Sequence, residues 1–278
     1  MDSRLLSLVA VLILGVTTGR RYALDTIEFT YAPNAQSLEA TQSVAATISV
    51  SSLLAIDEPI PTTADKLPNS EREVNAALIH FPRSQLLKHA QASHGAVLAA
   101  IADQNVLHFS CHGRANFNNP LDSGLLMADN EWLTLKDFFS LQLRSVRLAI
   151  LSACETALPG TELPDEVISI PTGLLQAGIA GVVSSLWSVP ELSTMILLSR
   201  FYTLWREHNL KPAQALVKAQ KWLRDAEAPE IVAQCKTFIP ELSSSSGQLS
   251  VQGEELTRQL RFDYSHPHHW AAFSYIGS

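Results

Sequence analysis

Two short stretches carry the residue types that nucleophilic chemistry needs. In Leu148 to Ala157 (L-A-I-L-S-A-C-E-T-A) an apolar run ends at Ser152 and Ala153, then delivers Cys154 where the chain must turn. In Val106 to Ser110 (V-L-H-F-S) a second apolar run leads straight into Cys111, His112 and Gly113. Both runs read as buried strands, and in open α/β sheets ligands sit in the crevice at the carboxyl ends of strands. One thiol and one imidazole at two such ends, 42 positions apart, make a candidate Cys–His pair. A free thiol, with a pKa of about 8.5, is a weak nucleophile until a neighbouring imidazole helps to ionise it. Gly113 permits close backbone approach of a substrate carbonyl, and a strand-to-helix turn aims N–H groups into the crevice. On pattern alone a buried structural thiol accounts for Cys154 equally well.

The other reactive side chains fit quieter roles. Cys111 alternates to the opposite side of its strand from His112, so it points into the core. Cys235 lies outside any motif and reads as structural, and His108 as an inward histidine with its hydrogen bonds satisfied. His266, His268 and His269 have no carboxylate or thiol at ligand spacing, so they read as a partly exposed turn and not a metal site. No cofactor is implied. Glu155 reads as a cap for the turn after Cys154, and Trp187, Trp205, Trp222 and Trp270 as core or interface aromatics.

The bulk numbers narrow the function classes. With 278 residues, 46% of them hydrophobic, the chain can bury a full core. A net charge of −7, with no Lys/Arg cluster among aromatics, argues against a nucleic-acid partner. Three cysteines make no disulfide framework and fit a reducing, cytoplasmic compartment. The apolar run Leu5 to Gly15 leaves an alternative open. It is short for a spanning helix but has the length of a secretory core, so export or membrane association through residues 5–15 competes with a buried segment.

The elements that must position the pair alternate strand and helix. Leu24 to Tyr31 reads as a strand, Gln36 to Ala46 as a helix and Ile48 to Ile56 as a strand, followed by a proline-rich loop over Glu58 to Asn69. Ser70 opens a helix with Glu71 and Glu73 in its first turn, where carboxylates suit the dipole. Ser93 caps the helix before the histidine strand. Gly124 to Met127 and Trp132 to Leu135 form a hairpin, and Thr134 caps a helix over Lys136 to Ser140. Pro159 to Pro171 is a loop, Thr172 to Ala177 a helix and Gly181 to Trp187 a buried strand. Helices begin at Pro190 and Pro212, Ser243 to Gly253 is a mobile serine-rich insert, and the chain closes on a strand. Such alternation predicts one α/β domain over 21–278, its largely parallel sheet covered by helices on both faces, after an extension or leader over 1–20.

H-F-S-C-H-G (His108 to Gly113) resembles the histidine motif of CHAT domains, which are caspase-like, clan CD cysteine peptidases. L-S-A-C-E-T-A (Leu151 to Ala157) resembles the cysteine motif of the same family. Further similar pieces are R-Y-A-L-D (Arg21 to Asp25), T-Y-A-P (Thr30 to Pro33), A-G-I-A-G-V-V-S-S-L-W-S-V (Ala177 to Val189), R-F-Y (Arg200 to Tyr202) and the terminal W-A-A-F. The resemblance implies a caspase-like three-layer sandwich and cleavage of a protein or peptide substrate through a Cys154 thioester. It makes His112 the general base and gives the oxyanion hole to the backbone N–H groups of Gly113 and Cys154. Asp165 and Glu166, soon after the nucleophile, would line the substrate pocket and select a basic residue before the cut; solvated loop carboxylates are the competing reading. Family members often carry helical repeats that recruit a regulator; none is visible here, although a regulatory protein partner remains an expectation. The alternatives are a catalytically silent CHAT module acting through protein–protein interaction, and a cysteine-dependent hydrolase of a non-peptide ester or amide.

Overall fold

The structure, a computed structural model, describes residues 22–116, 118–153, 169–243 and 249–278. Its strands are β1 (Ser52–Asp57), β2 (Arg83–Lys88), β3 (Val106–Ser110), β4 (Gly113–Arg114), β5 (Gly124–Leu126), β6 (Trp132–Thr134), β7 (Leu148–Ser152), β8 (Gly181–Ser185) and β9 (Phe273–Gly277). Six of them form one sheet in the order β2-β1-β3-β7-β8-β9, parallel except for β9 against β8. The strands β4, β5 and β6 make a small antiparallel sheet beside it. Helices are α1 (Ala35–Thr47), α2 (Ser70–Leu78), α3 (His94–Ile101), α4 (Leu135–Ser140), α5 (Ile170–Gln176), α6 (Glu191–Arg206), α7 (Pro212–Asp225), α8 (Ala228–Lys236) and α9 (Val251–Leu260).

The largely apolar runs in β1, β3, β7 and β8 have a simple cause: both faces of the sheet are covered. Leu53, Val106, Ile150 and Val183 pack with α2, α6, α7, α8 and α9 on one face. Leu54, Leu107, Leu151 and Val182 pack with α3, α4 and α5 on the other. This is the three-layer α/β sandwich that the strand–helix alternation predicts. From β1 the chain crosses to β2 on one side, then returns to β3 on the other, so the order reverses between β1 and β3. At such a switch point the loops leaving the two strands part and open a crevice.

Several segments differ from the expectation, each for a local reason. Leu24 to Tyr31 is not a strand. The Asp25 carboxylate accepts from the Tyr22 N–H at 2.9 Å and pairs with Arg224, folding Ala23–Asp25 into a 3-10 turn. Only Tyr31 reaches the sheet, as a single bridge to Ile276. The first strand begins at Ser52, not Ile48. Edge strand β2 has no counterpart in the hydrophobic pattern because Arg83, Ser84 and Gln85 face solvent. Ile170 and Pro171 belong to α5, capped by Ser169, and not to a loop. Val251 to Gly253 open α9, with the Ser250 hydroxyl accepting from the Gly253 N–H at 3.1 Å, so the end of the serine-rich insert is helical. Residues 244–248 and the run Leu5 to Gly15 lie outside the described residues. No helix among the described residues is long and apolar enough to cross a membrane.

Candidate functional site

The ends of β3, β7 and β8 open into a cleft of about 480 Å³, counting its mouth, whose lining includes Ser110, His112, Ser152, Ser185, Glu73 and Glu191. It is built on main-chain register. Ser110 on β3 is the partner of Ser152 on β7, and the Cys111 N–H donates to the Ser152 carbonyl at 3.4 Å. The Ser185 hydroxyl donates to the Ala153 carbonyl at 2.8 Å, tying the end of β7 to β8. Cys154, Asp165 and Glu166 lie outside the described residues.

His112 is half-buried, and two groups hold it. Its own carbonyl accepts from the Leu126 N–H at 2.8 Å, and Gly113 after it pairs with Leu125. Its Nε2 lies 2.8 Å from the main-chain carbonyl of Asp65, in the loop leaving β1. A carbonyl oxygen only accepts, so Nε2 carries the proton and, in the neutral ring, Nδ1 keeps the lone pair. The imidazole is thereby set to take a proton at Nδ1. No residue type marks this partner in the sequence, because any residue has a carbonyl.

The neighbouring thiols are unsuited to attack. Cys111 is 2% exposed, packed in the core face that holds Leu107 and Phe109, and burial pushes its thiol well up. Cys235 is fully buried between α8 and its neighbours, its pKa pushed up to about 12 by burial. Both match the core role read from strand alternation and from the lack of a motif.

Below the cleft lies a polar group that the sequence hid. His108 is fully buried, with Nε2 2.8 Å from Glu73 Oε1 and Nδ1 2.7 Å from the Tyr202 hydroxyl. It is the satisfied inward histidine of the sequence reading, but its carboxylate partner is Glu73. In the sequence that residue reads only as a first-turn carboxylate suited to the helix dipole, and it is 3% exposed. Burial next to Glu73 also raises the Tyr202 phenol well above its ordinary value. Glu191, at the start of α6, lines the cleft and accepts from the Asn69 N–H at 3.0 Å. Its carboxyl pKa is raised, by burial first and by the nearby charges of Glu73 and Glu58, against the pull of Asn69 and His112.

The histidines near the C-terminus have local duties. His266 Nδ1 accepts from the His268 N–H at 3.2 Å, capping a helical turn, and His269 packs edge-on against Phe262 and Tyr264. Trp205 and Trp270 are buried core side chains, and Trp187 and Trp222 pack against the same core.

The model of the CHAT domain matches residues 3–278. The chain belongs to the CHAT domain family. Two solved structures share the fold. The Arg-specific cysteine proteinase gingipain R matches with a TM-score of 0.53 at 9% identity, over 87% of this chain and 51% of that one. Separase in the Saccharomyces cerevisiae separase–securin complex matches with a TM-score of 0.56 at 14% identity, over 93% of this chain and 14% of that one. The CHAT chain thus spans about half of the gingipain chain and a small part of separase. At these identities the likeness is one of fold, the caspase-like α/β sandwich. No curated protein matches the chain by sequence.

Proposed function

We propose that this CHAT domain is a cysteine endopeptidase in which Cys154 attacks a substrate carbonyl and His112 takes the thiol proton. One observation carries the reading: the register of β3 on β7. Ser110 pairs with Ser152, and His112 and Cys154 each stand two residues further along their chains. The tautomer held by Asp65 supports it too, since it leaves Nδ1 as the proton acceptor. The thiolate adds to the carbonyl carbon, and the tetrahedral oxyanion is met by the backbone N–H groups of Gly113 and Cys154. Collapse expels the amine, which takes its proton from the imidazolium, and water then hydrolyses the thioester with His112 again as base.

The substrate is a protein or peptide cut after a basic residue. Glu191 supports this preference from the described side of the cleft, with Asp165 and Glu166 as the further carboxylates. Residues 21–278 act as one domain, in a reducing, cytoplasmic setting that keeps the thiols free. The separase neighbour is a complex with securin, and a regulatory protein partner is the corresponding expectation here.

The test is a covalent peptide probe ending in Arg or Lys, read by intact mass. Labelling of the parent chain at Cys154 and its loss in His112→Ala is the expected result, with cleavage of a basic-residue peptide library by the parent. Peptide cleavage that survives in Cys154→Ala overturns the assignment. Failure of the parent to cleave any peptide while it captures a protein partner favours a binding module.

A further inference from the structure

The group that orients His112 is a main-chain carbonyl, and a carbonyl is only as well placed as its loop. Residues 58–69 are tied down at several points around Asp65. On one side the Asn130 side-chain oxygen accepts from both the N–H and the hydroxyl of Thr63, at 2.8 and 3.1 Å. On the other, Glu58 Oε1 accepts from the Leu67 N–H at 2.8 Å. Glu58 is itself fixed to the neighbouring strand, its N–H donating to the Ser110 carbonyl at 3.0 Å. Its own carbonyl lies 3.1 Å from His89 Nδ1. Asp65 sits between these two clamps, two residues from each clamped position.

Asn130 lies on an exposed turn with φ 59, and Glu58 has φ 39, both in the region that favours glycine. Asn130 closes the turn between β5 and β6, where asparagine suits such a φ; what its side-chain oxygen and that of Glu58 add is the hold on the loop. A twelve-residue loop must give up conformational entropy to hold one carbonyl in place, and these acceptors offset that loss.

We propose that Glu58 and Asn130 are positioning residues for His112: they clamp the β1 loop so that the Asp65 carbonyl holds the ring as its Nε2–H tautomer, with Nδ1 as the proton acceptor. The catalytic sense of the clamp rests on the Cys154–His112 reading, whereas its effect on the ring rests on geometry alone. Groups that orient a reacting side chain from behind typically cost about 10- to 100-fold in activity when removed.

The experiment uses the full chain with ¹⁵N-labelled histidine, reading the His112 tautomer by long-range ¹H–¹⁵N correlation beside kcat and KM on a basic-residue peptide. Glu58→Ala and Asn130→Gly remove each acceptor; glycine suits the φ at 130, so the turn is not strained. The expected result is a mixed His112 tautomer and a kcat lower by about tenfold with KM within about twofold. Glu58→Gln and Asn130→Asp keep an acceptor oxygen and restore the Nε2–H tautomer and the rate. A ring that stays in one tautomer in both deletion variants overturns the proposal, as does equal loss in the acceptor-keeping variants. A parent without turnover whose tautomer still follows this pattern sinks the peptidase reading and leaves the clamp standing.

Discussion

Glu73 Oε1 and His108 Nε2 meet at 2.8 Å beneath the cleft, on α2 and β3, with 3% and 0% of their surfaces exposed. Tyr202 from α6 closes the other ring nitrogen, so the network joins two helices to the strand that leads into His112. Removing one member leaves its partner buried without its hydrogen bond, which costs about 1–3 kcal/mol and more where the group left behind is charged. Glu73→Ala should therefore lower the urea midpoint strongly, with Tyr202→Phe costing about 1–2 kcal/mol as the loss of one hydrogen bond. A double-mutant cycle on Glu73 and His108 should give a coupling of more than about 1 kcal/mol. Additive losses would mean that the two groups are held independently.

A second prediction concerns the thiols. Burial keeps Cys111 and Cys235 protonated and out of reach, so neither should react with iodoacetamide in the native chain. Alkylation well below pH 8 should add a single label at Cys154, and His112→Ala should slow it. Mass spectrometry after digestion separates the sites. Native labelling of Cys111 at a rate like that of Cys154 would contradict its placement in the core.

The parts of this chain that were legible from sequence are those where one residue type does one job. Predominantly apolar runs announced β3, β7 and β8, because strands covered on both faces bury nearly every side chain and admit a polar one, such as His108, only where it is hydrogen-bonded. The Ser93 cap is where it was read, its hydroxyl accepting from the Ala96 N–H at 3.4 Å. The edge strand β2 was not legible, since its outer residues are as polar as a loop. Within the site, His112 was visible as a residue type at a strand end. The Asp65 carbonyl behind it was not, because a main-chain acceptor leaves no mark. Glu73 misled for a physical reason: the same residue and position suit a helix dipole in water and a buried histidine partner. Only the packing of α2 against β3 decides between them.

The small sheet offers a third test. A Cβ at Gly124 on β5 would lie 2.5 Å from the Leu133 carbonyl on β6, and both atoms are held by backbone pairing. Gly124→Ala must push β5 from β6 or break their pairing, at a cost of about 1–3 kcal/mol. The same strand anchors the His112 carbonyl through Leu126, so kcat should fall with stability. Thermal melting and peptide turnover measured together check this. Unchanged melting would show that the sheet yields more easily than its contacts imply.

Glu191 supplies a prediction with a definite sign in pH. Its carboxyl pKa is raised, first by burial and then by the charges of Glu73 and Glu58. A basic side chain in the cleft needs the ionised form, which is present above that pKa and lost as pH falls through it. For peptides with Arg or Lys before the cut, kcat/KM should therefore decline on acidification from a pH above the ordinary glutamate range. Glu191→Gln keeps an acceptor for the Asn69 N–H but removes the charge. It should abolish that acid limb and raise KM for basic peptides about tenfold or more, the worth of one charge-assisted hydrogen bond. Neutral peptides should be cut as before. Equal losses for basic and neutral peptides would remove Glu191 from recognition and leave it only as a tether for the loop end at Asn69.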